Sequence, residues 1–380
     1  MLKIAIVGCG KIADSHASQI RQLQGCEIVA VCDQEELMAR QLCERFAVRR
    51  HYDDITELLR EARPDVVHIT TPPQSHFEIA RQCLEAGCHV YVEKPITLYT
   101  AELEELIALS KQRGLKLTVG HDEQFSHSAR HMRELIRSGY LGGTPIHMES
   151  TWCYDLGDPT YAKALLADTA HWVRRLPGKL LHNVISHGIA KISEFLITPT
   201  PTVIAHGYVS PLLSSLGARE IVDELRVIIS DEHRTTAYFT FSSQMRPSLD
   251  QFSIYGPQNG LFLDEKRQTL IKLRGSRYKS YLEQFVPPLA LARQYLDSSY
   301  RNLRLFLRRE FHQDAGKKCL IESLYRSIID GTPVPIPYDQ ILRTSRIMDA
   351  IFEQISSRGT ARQRAGVVHD LRSPESMELP

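Results

Sequence analysis

The chain has 380 residues, of which 43% are hydrophobic and 24% charged, and a length of this kind predicts a soluble protein of two domains. Its 46 basic residues nearly balance its 45 acidic residues, so the overall charge excludes nucleic acid as the main partner. The eight cysteines form no CxxC pair and no apolar run reaches the length of a membrane span, which predicts a cytoplasmic protein without an integral membrane segment.

The N-terminus has the pattern of a strand, a glycine turn and a helix. A short apolar strand, Lys3 to Val7, leads directly into Gly8-Cys9-Gly10-Lys11-Ile12-Ala13, and helical spacing follows from Ile12 to Leu23. Gly8 permits a tight turn, Gly10 lets the backbone approach a pyrophosphate, and the N–H groups at Lys11 and Ile12 are placed to meet its phosphates. This pattern predicts a dinucleotide-binding site.

An acidic residue follows the second predicted strand. The strand Glu27 to Cys32 ends at Asp33, where a carboxylate is expected to meet the hydroxyls of the adenosine ribose. A carboxylate there repels a 2′-phosphate, so NAD is predicted over NADP. The alternative interpretation is a structural turn in which Asp33 caps the next helix.

Strands and helices then alternate as far as residue 121. The further strands are predicted at Asp65 to Thr70, from His89, and at Leu115 to Val119. This alternation predicts an α/β Rossmann domain with a parallel sheet over residues 1–121. From residue 122 to 357, successive strands without intervening helices predict an α+β domain with a mostly antiparallel open sheet, for substrate binding and oligomerisation. Residues 358–380 are predicted to be a flexible tail.

Two predicted strand ends carry polar residues. Ligands of open α/β sheets bind beyond the carboxyl ends of the strands, which places Thr71, Pro72 and His76 at one end and Glu93 and Lys94 at another. Lys94 is therefore expected to point its ammonium group into the crevice. The alternatives are that Glu93 and Lys94 form a solvated strand end, and that His76 packs at a helix start.

A histidine on a predicted helix is the candidate base. On the helix predicted from Leu181 to Leu196, Asn183 and His187 are four residues apart and share a face. Imidazole is well matched to taking a proton from an alcohol near neutral pH, although a histidine in an apolar helix is more often a packing residue. Arg174 and Arg175, in an irregular segment, are either contacts for a diphosphate or ordinary surface. No metal site is predicted.

The segment from Leu289 to Phe311 has apolar residues near helical spacing and several arginines. One interpretation is a basic amphipathic helix on an anionic membrane surface. The other, which we favour, is a helix that packs its apolar face on its own domain or on a sister subunit.

The motifs together resemble one family. They are Gly8-x-Gly10-x-x-Ala13, Thr71-Pro72-Pro73 with His76, Glu93-Lys94-Pro95, Gly120-His121, Gly139-x-x-Gly142 and His187, and they resemble the glucose-fructose oxidoreductase, inositol dehydrogenase and rhizopine catabolism (Gfo/Idh/MocA) family. The resemblance implies a nicotinamide cofactor, a sugar, polyol or nucleotide-linked sugar as substrate, and homo-oligomers built on the exposed sheet face. It also implies that Lys94 contacts the substrate and the nicotinamide ribose, that His121 lies at the substrate, and that His187 is the acid/base.

The sequence departs from the family pattern near the expected substrate. The family often has an aspartate where this chain has Asn183, an arginine at Gln124 and a proline at His127, so Asn183 is expected to orient the sugar without holding a proton. The hypothesis is an NAD-dependent dehydrogenase of a secondary alcohol on a sugar, most often nucleotide-linked. The alternatives are a dehydrogenase of a free sugar or inositol, and a non-catalytic NAD-binding sensor.

Overall fold

The computed structural model describes residues 1–156, 170–215, 217–232, 235–275, 278–279, 281–311 and 314–370, with side chains as far as residue 356. Its buried apolar residues form two clusters, one around each of two sheets. The two sheets confirm the predicted α/β and α+β construction.

The first sheet is parallel throughout. Its strands are β1 (Leu2–Val7), β2 (Cys26–Cys32), β3 (His51–Tyr52), β4 (Val66–Ile69), β5 (His89–Val92) and β6 (Leu117–Val119), in the spatial order β3-β2-β1-β4-β5-β6. The strands are apolar because helices cover both faces of such a sheet; these helices include α1 (Lys11–Ile20), α2 (Glu36–Phe46), α3 (Ile55–Ala62), α4 (His76–Glu85) and α5 (Thr100–Gln112). The strand order reverses between β1 and β4, which opens a crevice at their carboxyl ends.

The second sheet is mostly antiparallel. Its strands are β7 (His147–Cys153), β8 (Thr202–Tyr208), β9 (Glu224–Ser230), β10 (Thr236–Ser242), β11 (Asp250–Tyr255), β12 (Asn259–Asp264) and β13 (Thr269–Arg274), in the order β13-β12-β11-β7-β10-β9-β8. Strands β7 and β10 pair in parallel, and the other pairs in the described part of this sheet are antiparallel. Ala237, Phe239 and Phe241 alternate inward along β10 and are fully buried, as one covered face requires.

The helices of the second domain differ from the prediction at one point. They are α6 (His127–Arg137), α7 (Lys179–Val184), α8 (Ser186–Ser193) and the short α9 (Pro211–Ser215). The prediction of a single helix from Leu181 to Leu196 is wrong, because the helix is interrupted at Ile185, between α7 and α8. Asn183 and His187 therefore lie on different helices. The Asn183 carbonyl, which a continuous helix would use for the N–H of His187, accepts a hydrogen bond from Lys94 Nζ at 2.8 Å.

The C-terminal part of the chain packs on both domains. It forms α10 (Leu282–Leu307), α11 (Ala315–Asp330) and α12 (Tyr338–Asp370). Helix α11 places Leu320, Ile321, Leu324 and Tyr325 in the core of the parallel sheet. The predicted domain limits at residues 121 and 357 stay predictions, and the packing adds that α11 belongs to the first core.

The described end of the chain is helical. Helix α12 continues through Asp370, so the predicted flexible tail, residues 358–380, begins inside a helix, and residues 371–380 lie outside the described part. None of the described helices has both the length and the apolar character needed to cross a membrane.

Candidate active site

A cavity of about 950 Å³ occupies the crevice beyond the carboxyl ends of the first sheet. Residues from both domains line it, including Trp172 and Asp314. Most of the predicted site residues are in its wall, namely Gly8, Gly10, Lys11, Ile12, Asp33, Thr71, Pro72, Glu93, Lys94 and Asn183. The residues to which the strand-end rule pointed are distant in sequence, and the structure places them in one cavity wall.

The glycine turn is shaped by two different requirements. Gly8 has φ +92°, and a Cβ there would lie 2.6 Å from the backbone nitrogen of Thr71, so β1 and β4 can approach only with glycine. A Cβ on Gly10 would meet nothing within 4 Å, because this residue faces the open crevice. Gly10 is also the N-cap of α1, whose first N–H groups have no partner within the helix and favour an anion. The cradle fits the pyrophosphate of a dinucleotide.

The two glycines provide a matched pair of variants. We expect Gly10→Ala to keep the melting temperature, because Gly10 has φ −75°, and to weaken NAD binding roughly tenfold or more by filling the cradle, a loss of about 1.4 kcal/mol. Gly8→Ala is expected to lower stability by roughly 1–3 kcal/mol through backbone strain. Calorimetric titration with NAD and thermal unfolding separate the two effects. Unchanged NAD affinity in Gly10→Ala would place the pyrophosphate elsewhere.

Asp33 ends β2 beside the glycine turn. Its Oδ2 accepts a hydrogen bond from the backbone N–H of Cys9 at 2.6 Å, and its Oδ1 accepts one from the N–H of Glu35 at 3.0 Å. The residues that follow are Gln34, Glu35 and Glu36, so no cation in this stretch is available for a 2′-phosphate. The carboxylate is held where a ribose hydroxyl is expected.

Lys94 joins the two domains at the cavity. Its Nζ donates to the Asn183 carbonyl at 2.8 Å, and its backbone N–H donates to Glu93 Oε2 at 3.1 Å. The Lys94–Pro95 peptide bond is cis. Burial lowers the pKa of Lys94, and the carboxylates of Glu93 and Asp122 act in the opposite direction.

Glu93 is a buried anion behind Lys94. Its Oε1 accepts a hydrogen bond from His16 Nε2 at 2.8 Å, and Lys317 Nζ lies 3.6 Å from the same oxygen. Burial raises the pKa of Glu93, but His16 and the ammonium groups of Lys317 and Lys94 outweigh burial and hold that pKa below its ordinary value. Glu93 therefore supplies a fixed negative charge to the site.

His187 lies beside Asp122. It is 8% exposed, its ring packs 5.3 Å from the Trp152 ring, and its Nδ1 is 4.0 Å from Asp122 Oδ1. Among the described residues, His187 Nδ1 has no hydrogen-bond partner. Burial, followed by the ammonium groups of Lys94 and Lys191, holds the pKa of His187 well below 6.5, so the imidazole is neutral and can accept a proton.

Asp122 is the carboxyl group next to His187. Burial raises its pKa to about 7, with Lys317 opposing the rise and Glu93 adding to it. Lys317 Nζ is 4.0 Å from Asp122 Oδ2. A carboxylate thus lies next to His187, although position 183 carries an asparagine.

Sequence reasoning missed Asp122, Lys317 and His16. Asp122 follows Gly120-His121 at the end of β6, so the strand-end rule that pointed to Lys94 could have found it. Lys317 carried no signal, because a lysine in a polar helix is ordinarily exposed. His16 is on α1, three residues after the end of the glycine motif, but only the packing brings its ring to Glu93.

Four predicted site residues lie outside the cavity wall besides His187. His76 is fully buried, and its ring nitrogens lie 2.8 Å from the carbonyl oxygens of Thr71 and Pro95. These contacts are those of a histidine that packs at the start of a helix, which was the alternative interpretation of His76. His121 is buried with its ring centre 6.1 Å from that of His187.

Arg174 and Arg175 are also not among the described residues of the cavity wall. Arg174 Nη1 forms an ion pair with Glu220 Oε1 at 2.5 Å, and Arg175 is exposed. Among the described residues, the cations in the cavity wall are Lys11 and Lys94. The diphosphate contact predicted for the arginines would therefore fall to these lysines in the described part of the wall.

Residues 2–121 match the model of a family described as "Oxidoreductase family, NAD-binding Rossmann fold". This match covers the first domain, which is about a third of the chain. Over 142 residues it is 34% identical to D-glucoside 3-dehydrogenase of Escherichia coli (strain K12), a match that covers 37% of this chain and 40% of that protein. Myo-inositol 2-dehydrogenase of Thermotoga maritima is 22% identical over 311 residues, which cover 81% of this chain and 87% of that protein.

Solved structures of two dehydrogenases share the fold of both domains. UDP-N-acetylglucosamine 3-dehydrogenase GnnA of Acidithiobacillus ferrooxidans has a TM-score of 0.67 at 17% identity and covers 92% of this chain and 96% of its own. The WlbA dehydrogenase of Bordetella pertussis, in complex with NADH and UDP-GlcNAcA, has a TM-score of 0.72 at 16% identity and covers 93% and 94%. At these identities the likeness shows the two-domain fold.

Proposed function

We propose that the protein is an NAD-dependent dehydrogenase that oxidises a secondary alcohol of a carbohydrate or cyclic polyol, and reduces the ketone in the reverse direction. The observation that carries this proposal is the hydrogen bond from Lys94 Nζ to the Asn183 carbonyl. It holds the Lys94 ammonium group in the cavity wall, next to the dinucleotide cradle and in contact with α7. His187 lies on the following helix, α8. An alcohol dehydrogenase needs these parts together: a cofactor site, a cation and a base.

The chemistry divides among the residues as follows. When bound along Gly8, Gly10 and Asp33, NAD supplies the hydride acceptor. Neutral His187 takes the proton of the substrate hydroxyl, and the Asp122 carboxylate stabilises the imidazolium that results. Lys94 uses one donor on the Asn183 carbonyl and keeps two for the oxygen on which negative charge develops.

Asp33 supports NAD as the cofactor. We expect Asp33→Asn, which keeps an oxygen for the Cys9 N–H but removes the charge, to raise the ratio of kcat/KM with NADP to kcat/KM with NAD by about tenfold or more, since repulsion of a 2′-phosphate is relieved. Steady-state kinetics with both cofactors measures this ratio. The exposed variant Asp330→Asn is the control. A ratio that stays constant in Asp33→Asn would show that this carboxylate does not face the 2′ position.

We propose two classes of substrate, in order of preference. The solved structures named for UDP-sugars favour a nucleotide-linked sugar, whereas the curated relatives are named for a D-glucoside and for inositol. Since Arg174 is paired with Glu220, a diphosphate would have to use other donors than those predicted. We take the nucleotide-linked sugar as the first class to test and the free sugar or inositol as the second.

The test is NADH formation by the purified protein across free sugars, inositols and UDP-, GDP- and dTDP-linked sugars, with NAD and with NADP. Turnover of linked sugars alone supports the first class, and turnover of free sugars or inositols supports the second. Tight NAD binding with no turnover of any member would contradict the dehydrogenase and leave the non-catalytic sensor.

Location and assembly are part of the same proposal. All eight cysteines are free thiols, which supports the reducing cytoplasm. The open face of the second sheet exposes Ile204, Ile228, Tyr238 and Tyr255, and an apolar face of this kind supports homo-oligomers.

Asp122 predicts a pH dependence with opposite signs for stability and activity. Its folded pKa of about 7 lies above its ordinary value of 3.8, so its contribution to stability is present below the ordinary pKa and is lost as the pH rises through about 7. We expect Asp122→Asn to be more stable than the wild type at pH 8, by roughly 1–3 kcal/mol. The same variant should lower kcat/KM there by roughly 10–100-fold.

The pH profile separates this role from a purely structural one. In the wild type, kcat/KM for alcohol oxidation is expected to rise through an apparent pKa near that of Asp122, and Asp122→Asn is expected to lose this limb. Thermal unfolding at pH 5 and pH 8 gives the stability change, with Asp330→Asn as control. An identical limb in Asp122→Asn would assign the titration to another group.

A further inference from the structure

Helix α10 has a leucine at every seventh position. These are Leu282, Leu289, Leu296 and Leu303, with exposed fractions of 57%, 71%, 70% and 54%. The positions three residues after each of them are Phe285, Ala292, Ser299 and Phe306. A heptad repeat of this form is typical of helices that pack against each other with knobs-into-holes contacts. We call the leucines and these four residues the leucine seam.

The helix is turned with its polar side toward its own domain. Gln294 Oε1 accepts from the backbone N–H of Lys272 at 2.8 Å, and Gln294 Nε2 donates to the Lys272 carbonyl at 3.2 Å. Asn302 Nδ2 donates to the Arg267 carbonyl at 2.9 Å. A surface helix ordinarily buries its apolar face, whereas α10 uses amides to cover the edge of β13 and leaves its leucines in solvent.

The exposed area is that of an interface. The aromatic residues on this face are Tyr281, Phe285, Tyr300 and Phe306, with exposed fractions of 76%, 63%, 69% and 64%. Together with the four leucines, at about 100 Å² for each side chain, they present on the order of 800 Å² of apolar surface. The largest apolar patch of a monomer is typically about 300–600 Å², and a stable interface buries about 800 Å² on each partner.

We propose that the leucine seam pairs with the same seam of a second copy of this chain across a two-fold axis. A two-fold interface requires one surface to be complementary to itself. A row of leucines at every seventh position meets this requirement. Ala292 lies near the midpoint of the seam, where a small side chain lets two helix axes approach. This interface is separate from the open face of the second sheet.

The observations favour a second copy over a membrane surface. A helix that lies in a bilayer interface presents a strongly charged face next to its apolar face. Exposed arginines of α10, among them Arg293, Arg301 and Arg304, also lie beside the leucines, so the charge pattern suits either partner and the spacing of the leucines decides between them. A strict seven-residue spacing also serves a helix partner, since a lipid surface imposes no register.

The test is the molar mass of the full chain by sedimentation velocity across a dilution series. We expect the double variant Leu289→Glu/Leu296→Glu to have half the number of copies per particle found in the wild type. The matched control is Leu37→Glu/Ile329→Glu, two exposed apolar residues on the first domain, which should keep the wild-type mass. Circular dichroism and NADH formation verify that each variant is folded. An unchanged mass in Leu289→Glu/Leu296→Glu would overturn the proposal.

A cross-link and a vesicle experiment complete the test. Ala292→Cys is expected to give a disulfide-linked dimer under oxidising conditions, in either relative orientation of the helices, because it is central. Gln284→Cys, exposed on the same helix but off the seam, should stay largely monomeric on a non-reducing gel. Wild-type protein that floats with phosphatidylserine vesicles, while Leu289→Glu/Leu296→Glu neither floats nor changes its mass, would replace the second copy with a membrane.

Discussion

Replacing His187 with asparagine is expected to lower kcat for alcohol oxidation by about 10²–10⁴-fold, the usual contribution of a general base. The physical reason is that the neutral imidazole is the group proposed to take the hydroxyl proton. Burial keeps it neutral, and asparagine cannot accept a proton at any relevant pH. Initial rates of NADH formation at saturating NAD and substrate measure the loss.

The control for this variant is His182→Asn. His182 is also buried, but its ring stacks on Phe352 with centres 4.7 Å apart, so its replacement should change stability more than chemistry. NAD affinity should be the same in His187→Asn and in the wild type. Full activity in His187→Asn, or an equal loss in both variants, would show that the proton goes to another group.

Replacing Lys94 with methionine is expected to lower kcat/KM by about 10²–10³-fold, which is the loss on removing one preorganised donor to a developing oxyanion. Methionine keeps much of the side-chain volume and removes the ammonium group. Glu93 retains its contacts with His16 and Lys317, so the fold should persist. Kinetics with each substrate that turns over, together with thermal unfolding, measures both quantities.

Two further lysine variants locate the effect. Lys116→Met, at a half-buried site outside the cavity, should leave kcat/KM unchanged. Lys94→Arg should recover only part of the activity, since a guanidinium has a fixed planar geometry that differs from the ammonium group. Wild-type kcat/KM in Lys94→Met would rule out Lys94 as the oxyanion donor.

Much of the first domain could be predicted because its rules are local. The glycine turn and Asp33 follow directly from strand ends, and a parallel sheet brings those ends to one edge. The rule also placed Lys94 in the cavity wall, and applied to β6 it would have pointed to Asp122. What it could not supply is the depth of each side chain, so His76 and His121 were expected to contact ligands, whereas both are buried.

The features that the sequence did not predict depend on contacts between distant parts of the chain. Helical spacing between Leu181 and Leu196 gave no sign of the break at Ile185, because the hydrogen bond from Lys94 to the Asn183 carbonyl spans 89 residues. The burial of Lys317 needs α11 to return to the first core. For Leu289 to Phe311, periodicity showed an apolar face but not its direction, and the structure turns that face away from its own domain.

The most direct test of the proposed reaction follows hydrogen itself. The substrate that turns over in the NADH assay is prepared with deuterium on the carbon that bears the oxidised hydroxyl, and the reduced cofactor is analysed by mass spectrometry. Hydride transfer from that carbon predicts one deuterium in each NADH formed by the wild type, at a rate that His187→Asn greatly reduces. Reduced cofactor that carries only protium, or no reduced cofactor from any carbohydrate despite bound NAD, would contradict the dehydrogenase.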